Sequence, residues 1–153
     1  MISAREPMSP CGPALPGGCA TWEEQTLSVT GQLTPLLECI AAAMAEEHYS
    51  PKDIFGMRLA VEEAVVNSIK HGHQEDPSME VGVRYRIDAD CAIVAVEDQG
   101  PGFNPDELPD PTDVENWEKP GGRGVFLMRT YTTWTHFNAR GNCVTLCKYR
   151  SVT

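Results

Sequence analysis

A glutamate and an asparagine stand one helical turn apart in an otherwise apolar stretch of the chain. The stretch reads EEAVVNSIKHG from residue 62 to residue 72, and the two polar residues are Glu63 and Asn67. Spaced at i and i+4, their side chains share one helix face, which His71 continues with some drift. An amide oxygen can ligate Mg²⁺, and a carboxylate beside it can act as a general base. A solvated helix face could carry the same residues, so the pair alone leaves both interpretations open.

A second candidate is DQGPGF, residues 98 to 103, which follows a predicted buried strand. Pro101 and Gly102 are typical of a type II turn, and a purely structural turn is one interpretation. In the other, Asp98 points into a cleft while Gly100 and Gly102 let a flat ligand approach the backbone. A carboxylate there would accept a hydrogen bond from the adenine amine and would repel the carbonyl of guanine.

A third candidate is GGRGVFLM, residues 121 to 128, in which a glycine-rich turn leads into a helix. Free N–H groups and the positive end of a helix dipole at such a turn suit phosphates, although glycines can simply end a loop. The stretch is neither a Walker P-loop nor a dinucleotide-binding fingerprint.

The elements that must position these stretches are predicted from periodicity. Ser50 and Pro51 are typical of a helix start, with Asp53 as a capping-box acid, and the helix should end near His71. Thr34 and Pro35 predict a similar start for the preceding helix. Further elements are predicted as strands at 25–30, 79–87, 91–98, 133–138 and 143–149, and a helix at 125–131. This order indicates an α/β (α+β) two-layer sandwich, with a mixed, largely antiparallel sheet packed against about three helices.

The rest of the chain divides into a tail, one domain and a long loop. Residues 1–22 are rich in proline, glycine and serine and predict a flexible tail, which leaves 23–153 as a single domain. Residues 103–121 contain four prolines and many charges, a composition that indicates a lid or binding loop.

Composition excludes several classes of protein. The net charge of -10, from 22 acidic and 12 basic residues, disfavours direct nucleic-acid binding. No segment has the length and hydropathy of a membrane span, and the N-terminus lacks the apolar core of a signal peptide, so we expect a cytoplasmic protein. The six cysteines form no CxxC pair, which favours reduced core thiols over a zinc site.

In this order and spacing, the three stretches resemble the N, G1 and G2 boxes of the GHKL (Bergerat-fold) ATP-binding domains. The ExxxN form of the first box, the size of the chain and the segment DPTDVENWEKPGGRGVFLMR are similar to one branch of that superfamily. That branch is the anti-sigma-factor serine/threonine-protein kinases of bacterial partner-switching systems. The resemblance covers roughly residues 25 to 150 and implies that residues 23–153 form a GHKL-type ATP-binding kinase domain.

The resemblance implies ATP and Mg²⁺ as cofactors and a role for several residues. Glu63 would be the catalytic base, Asn67 the metal ligand and Asp98 the partner of the adenine amine. The other nucleotide-binding positions that it implies are His71, Gly100, Gly102, Lys119, Gly122, Arg123, Gly124 and Val125. The chain departs from the superfamily before its last strand, where a Gly-Thr pair is common and Gly141 is here followed by Asn142, which can still form hydrogen bonds.

The leading hypothesis is therefore an ATP-dependent serine/threonine kinase and anti-sigma factor. Its implied partners are an antagonist protein as phosphorylation substrate, a sigma factor and, as a family expectation, a second copy of the chain. The alternative is a nucleotide-gated module that sequesters a partner with little or no kinase activity. An ATPase portion of a histidine kinase is disfavoured, because the sequence contains no phospho-acceptor domain.

Overall fold

A computed structural model describes residues 22–27, 30–69, 80–100 and 122–151 of the chain. Its elements are β1 (Glu23–Leu27), a 3₁₀ turn (Thr30–Gln32), α1 (Leu33–Glu46), α2 (Pro51–Asn67), β2 (Val81–Ile87), β3 (Cys91–Glu97), α3 (Gly122–Tyr131), β4 (Trp134–Phe137) and β5 (Cys143–Tyr149). The order of strands and helices agrees with the predicted one. β5 has the predicted bounds, whereas β1 begins two residues earlier and α3 three residues earlier than predicted.

The five strands form one sheet in the order β1-β2-β3-β5-β4. Every neighbouring pair is antiparallel, so the described sheet contains none of the parallel pairing that a mixed sheet would have. The two-layer sandwich is confirmed. β3 lies at the centre and is buried on both faces, as its unbroken apolar sequence predicted.

One face of the sheet packs against the helices to form the main core. Alternate residues of the strands point into it, as the alternating apolar residues of MEVGVRYRI, residues 79 to 87, predict. Buried members of this core include Val81, Val83, Tyr85, Ala92, Val94, Val96, Val144 and Leu146 from the sheet, and Leu36, Ile40, Met44, Met57, Val61, Val65, Val125 and Met128 from the helices. Burial of a large apolar side chain stabilises a fold by about 1.5–3 kcal/mol, so this core fixes the helices on the sheet.

The opposite face of the sheet carries a smaller apolar cluster. Its buried residues are Cys91, Ile93 and Cys147, with Trp22 and Trp134 packed against them. The alternation of MEVGVRYRI predicts a solvated face that carries Glu80, Arg84 and Arg86. Arg86 is instead buried, and its guanidinium carbon is 5.6 Å from the centroid of the Trp22 ring. The prediction of a wet face was wrong there, because a cation–π contact covers the arginine.

Two of the described cysteines, Cys91 and Cys147, are the buried free thiols that were predicted, whereas Cys39 is a free thiol at an exposed position. Burial raises the pKa of both Cys91 and Cys147, the latter to about 12 with a further contribution from the adjacent Cys91, so both remain protonated and unreactive. Cys143 departs from the prediction because it is disulfide-bonded.

The start of α1 differs from its prediction. The 3₁₀ turn Thr30–Gln32 leads directly into the helix, which begins at Leu33 rather than after Thr34. Pro35 is accommodated because the N–H groups of a first helical turn need no intrahelical acceptor. The chain leaves α1 through His48, whose φ of 63° lies in the left-handed region. Tyr49 then donates from its hydroxyl to the carbonyl of Asp88 at 2.7 Å.

The start of α2 confirms Ser50 as the N-cap and Pro51 as the first helical residue, whereas the predicted capping-box acid, Asp53, bonds Ser151. Ser50 accepts a hydrogen bond from the N–H of Asp53 at 3.1 Å, and Pro51 is the first helical residue. The buried carboxylate of Asp53 accepts from the backbone N–H and the hydroxyl of Ser151 at 2.9 and 2.7 Å. It also lies 3.8 Å from the ammonium of Lys148. The first turn of α2 is thereby tied to the end of β5.

Some predicted features fall outside the described residues. These are the tail apart from Trp22, the loop at 103–121 and the end of the second helix beyond Ile69. Within the ranges that are described, no helix combines the length and the apolar character needed to cross a membrane.

Candidate functional site

Glu63 and Asn67 occupy one face of the last turns of α2. Both side chains are partly buried, whereas the neighbouring Glu62 is exposed. Ala64 and Val65, between them, belong to the core, which anchors this part of the helix. After Asn67 the helix widens to a π turn, a local geometry that is frequent at functional sites.

Two glycines let α3 pack closely and antiparallel against α2. At one end, a Cβ added to Gly56 would meet the carbonyl oxygen of Tyr131 at 3.1 Å. At the other end, a Cβ added to Gly124 would meet Cγ and Oδ1 of Asn67 at 3.2 Å, and Nδ2 at a shorter distance. The first turn of α3 therefore lies against the Asn67 amide. The initial N–H groups of a helix lack intrahelical acceptors and carry the positive end of its dipole, so this contact favours anions.

The turn after β3 holds Asp98 in a fixed conformation. Asp98 is buried, and its Oδ1 accepts from the N–H of Gly100 at 2.8 Å. The next residue, Gln99, accepts from the N–H of Glu80 at 3.0 Å, which joins the turn to the start of β2. Sequence reasoning missed the contact with Glu80, since nothing in the local pattern around Gln99 indicates it.

Asn142 holds the same turn from the other side. Its carbonyl accepts from the N–H of Asp98 at 2.8 Å, and its Nδ2 donates to the carbonyl of Asp98 at 3.1 Å. Asn142 also bonds Asn138 within the β4–β5 hairpin. Asn138 was missed too, although the sequence NARGN, with two asparagines around a glycine, is a turn signal that points to it.

The Glu63–Asn67 pair of α2 and the turn that carries Asp98 lie at the same end of the sandwich. The bonds between Asp53 and Ser151 place the start of α2 beside the end of β5. β5 runs antiparallel to β3, so this is also the end where β3 begins. α2 has 17 residues and β3 has 7, which correspond to lengths of about 25 and 23 Å. The last turn of α2 therefore reaches the end of the sheet at which Asp98 follows β3 and Asn142 precedes β5.

The predicted site residues are thus only partly described. The structure brings Asn67 against Gly124, and it places Glu63, Asp98 and Gly100 at the same end of the fold. The backbones of Gly122 and Arg123 form the first turn of α3, whereas the side chain of Val125 lies in the core. The remaining predicted positions, His71, Gly102 and Lys119, lie outside the described residues.

The donors present fit a triphosphate and a metal ion shared with it. Mg²⁺ uses few protein ligands and takes its other oxygens from phosphates and water. Asn67 offers one amide oxygen next to the N-terminus of α3, and Gly124 leaves the space that a side chain would occupy. The described residues contain no group of three or more histidines, cysteines or acids able to hold a metal. A single amide oxygen suits an ion that takes its other ligands from a nucleotide and water.

Comparison with known proteins agrees with this geometry. Residues 27–148 match the family described as "Histidine kinase-like ATPase domain". The chain belongs to this family. The match extends from the last residue of β1 almost to the end of β5. It therefore includes the Glu63–Asn67 pair, the turn that carries Asp98, and the strands from β2 to nearly the end of β5.

Several relatives within this family are named serine-protein kinases. The chain is 30% identical over 108 residues to the "Serine-protein kinase RsbW" of Bacillus subtilis (strain 168), a match that covers 66% of this chain and 68% of the relative. It is 35% identical over 88 residues to the protein of that name from Listeria monocytogenes serovar 1/2a, covering 54% and 56% of the two chains. For the Bacillus licheniformis protein the values are 32% over 88 residues, with 54% and 55% covered. The chain thus spans about two thirds of the first relative and just over half of the other two.

Proposed function

We propose that this chain is an ATP-dependent serine/threonine-protein kinase that phosphorylates an antagonist protein and acts as an anti-sigma factor. One observation carries the proposal: Glu63 stands one turn before Asn67, whose amide contacts Gly124 at the start of α3. An amide without a nearby base would serve a nucleotide binder equally well. The carboxylate gives the site a group that can take a proton. The names of the relatives support kinase activity, and the partner-switching role rests on the resemblance.

ATP would bind with its phosphates at the N-terminus of α3. Backbone N–H groups of Gly122, Arg123 and Gly124 are the proposed phosphate donors, because a first helical turn leaves such groups without acceptors. Asn67 would hold Mg²⁺, which when bound neutralises charge on the triphosphate. We also keep His71, Lys119 and Val125 as proposed contributors to nucleotide binding.

The base of the nucleotide would bind at the turn after β3. Asp98 would accept a hydrogen bond from the exocyclic amine of adenine, and Gly100 and Gly102 would lie under the ring. The carboxylate disfavours guanine, whose oxygen at the same ring position would face a negative charge without a proton between them. The site would therefore select ATP over GTP by charge and hydrogen bonding.

In the transfer step Glu63 would act on the partner's hydroxyl group. The carboxylate accepts the proton from a serine or threonine hydroxyl, whose oxygen bonds to the γ-phosphorus. The bond between that phosphorus and the oxygen bridging to the β-phosphate breaks, and ADP leaves. Most of the rate acceleration in phosphoryl transfer comes from positioning the reactants and from stabilising charge. Asn67 and the first turn of α3 would therefore contribute more to the rate than Glu63.

The test is phosphotransfer to a defined protein. The purified chain is incubated with radiolabelled ATP, Mg²⁺ and each candidate antagonist encoded near its gene, with the Glu63→Gln variant in parallel. We expect label on a partner serine or threonine with the wild-type chain and little with the variant. ATP binding without transfer to any candidate would favour the nucleotide-gated binding module, and absence of ATP binding would contradict both functions. Binding of a sigma factor, with release when unmodified antagonist is added, tests the second half of the proposal.

A further inference from the structure

The orientation of the Asn142 amide is fixed by its neighbour in the β4–β5 hairpin. Asn138 Oδ1 accepts from the N–H groups of Asn142 and Cys143, at 3.0 and 3.2 Å. Because this end of Asn138 must be the oxygen, its Nδ2 must be the group that bonds Asn142, at 2.7 Å. The atom of Asn142 in that bond is then Oδ1. Its Nδ2 is left to donate to the carbonyl of Asp98.

One residue thus binds both backbone polar groups of Asp98. The carbonyl of Asn142 accepts from the N–H of Asp98, and its side chain donates to the carbonyl of Asp98. The carboxylate of Asp98 is oriented separately, through Oδ1 and the N–H of Gly100. Loss of the Asn142 side chain would leave the carbonyl of Asp98 without this donor, while the backbone bond to Asn142 and the bond from Glu80 to Gln99 remain, so the carboxylate would be held less firmly.

The hairpin itself does not require the contact between Asn142 and Asp98. Its turn is closed by the N–H of Gly141 donating to the carbonyl of Asn138 at 3.0 Å. The N–H of Asn138 also donates to the carbonyl of Cys143 at 3.0 Å, and Gly141 takes the positive φ of 72° that the turn needs. The bond from the Asn142 side chain therefore serves the turn after β3 rather than its own hairpin.

We propose that Asn142 is a positioning residue that sets the selectivity of the base site for a 6-aminopurine over a 6-oxopurine. This inference rests on the proposed function, because it takes Asp98 as the group that reads the base. Asn142 acts through Asp98: it fixes the backbone from which the carboxylate projects. A carboxylate held in one place forms a strong hydrogen bond with a 6-amino group and strongly repels a 6-oxo group. If the carboxylate can move, both the attraction and the repulsion become weaker, and so does the selectivity.

The test compares ATP with inosine triphosphate, which carries an oxygen in place of the adenine amine. Dissociation constants for both nucleotides are measured with the full chain and with the variants Asn142→Ala, Asn142→Thr and Asp98→Asn. Thr133→Ala is the matched control, since Thr133 accepts from the N–H of Tyr149 at 2.9 Å and so joins β4 to β5 at the opposite end of the hairpin. Thermal unfolding of each protein reports whether it is folded.

We expect the preference for ATP over inosine triphosphate to fall by about three- to tenfold in Asn142→Ala, as for loss of one hydrogen bond. Asn142→Thr, which keeps a donor on a shorter arm, should recover part of that preference, and Thr133→Ala should retain all of it. The preference in the double variant Asn142→Ala/Asp98→Asn should equal that of Asp98→Asn alone. If Asn142→Ala does not fold, Asn142→Thr and its combination with Asp98→Asn provide the same comparison.

Two results would overturn the inference while leaving the proposed function intact. One is an unchanged nucleotide preference in folded Asn142 variants when Asp98→Asn loses it. The other is an equal loss of affinity for both nucleotides, which would mark a purely structural role. A wild-type chain that binds neither nucleotide, or binds both equally, would instead contradict the base site itself and the proposed function with it.

Discussion

Gly124 lies so close to Asn67 that a methyl group on its Cα would collide with the amide. The added Cβ would meet Cγ and Oδ1 at 3.2 Å, and Nδ2 closer still. Real Cβ atoms rarely tolerate such contacts, so either the side chain of Asn67 or the start of α3 would have to move. The amide can therefore occupy its present position only because residue 124 has no side chain.

The first prediction follows from this contact. Gly124→Ala should weaken Mg-dependent ATP binding about tenfold or more, because the added methyl group would displace the Asn67 amide, and loss of one contact to a charged group costs about 1.5–3 kcal/mol. Isothermal titration calorimetry with and without Mg²⁺ measures the effect. Gly31→Ala is the control, since a Cβ there would meet nothing within 4 Å. Unchanged affinity in the Gly124 variant would show that the site does not depend on the Asn67 amide in its present place.

A second prediction separates the two polar residues of α2. Asn67→Ala removes the proposed metal ligand and should weaken Mg-dependent ATP binding and transfer together. Glu63→Gln should leave ATP binding nearly intact and slow transfer by about 10²–10⁴-fold, because a general base acts in the transition state. Nucleotide affinity and the single-turnover transfer rate are measured for both variants. The control is Glu62→Gln, which changes the neighbouring exposed glutamate. Transfer at the wild-type rate by Glu63→Gln would show that Glu63 is not the base.

A third prediction concerns the link between α2 and the end of β5. Burial by itself would raise the pKa of Asp53, but hydrogen bonds from Ser151 and the charge of Lys148 lower it below its usual value. A carboxyl group with a lower pKa in the folded state stabilises the fold above its unfolded pKa, about 4. That contribution is lost as the pH falls through the folded pKa.

Asp53→Asn should therefore lower the free energy of unfolding at pH 7 by about 1.5–3 kcal/mol, the contribution of a hydrogen bond to a charged group. The difference from wild type should shrink as the pH falls below about 4. Urea unfolding at a series of pH values measures both effects. Ser151→Ala removes only the hydroxyl donor and should cost less, and a difference independent of pH would contradict a role for the charge.

The fourth prediction concerns the residue that ends α1. His48 has a φ of 63°, a conformation that costs an ordinary residue about 1–2 kcal/mol and glycine very little. His48→Gly should raise the free energy of unfolding by about 0.5–1 kcal/mol, and His48→Val should lower it by about 1 kcal/mol or more. Urea unfolding at pH 7 provides the measurement. The control is Glu38→Gly, at an exposed position inside α1, which should lower the free energy of unfolding by about 1 kcal/mol. A loss of stability in His48→Gly as well would contradict backbone strain at His48.

Features predicted correctly from the sequence depend on neighbours along the chain. Ser50 caps α2 because its hydroxyl oxygen accepts from the N–H of Asp53, only three residues further along the chain. The bounds of β5 follow from the apolar residues of that segment itself. The bond from Glu80 to Gln99 joins residues 19 apart, and that from Ser151 to Asp53 joins residues 98 apart. Such contacts arise from strand pairing and helix packing, which no local pattern specifies.

The same reasoning explains what could be predicted of the site. The spacing of Glu63 and Asn67 defines a shared helix face, and so their proximity was available from the sequence alone. The space that the Asn67 amide occupies is left open by Gly124 of α3, nearly sixty residues further along the chain. The sequence shows the glycine, but it does not show that the Asn67 amide lies against it.

The turn after β3 is held from both neighbouring strands, through Gln99 on one side and Asn142 on the other. The entropy of arranging the Asp98 carboxylate is thus lost when the chain folds and not when a ligand arrives. A ligand that bonded this carboxylate would meet a group that is already oriented, so this one contact would add little to the conformational entropy lost on binding.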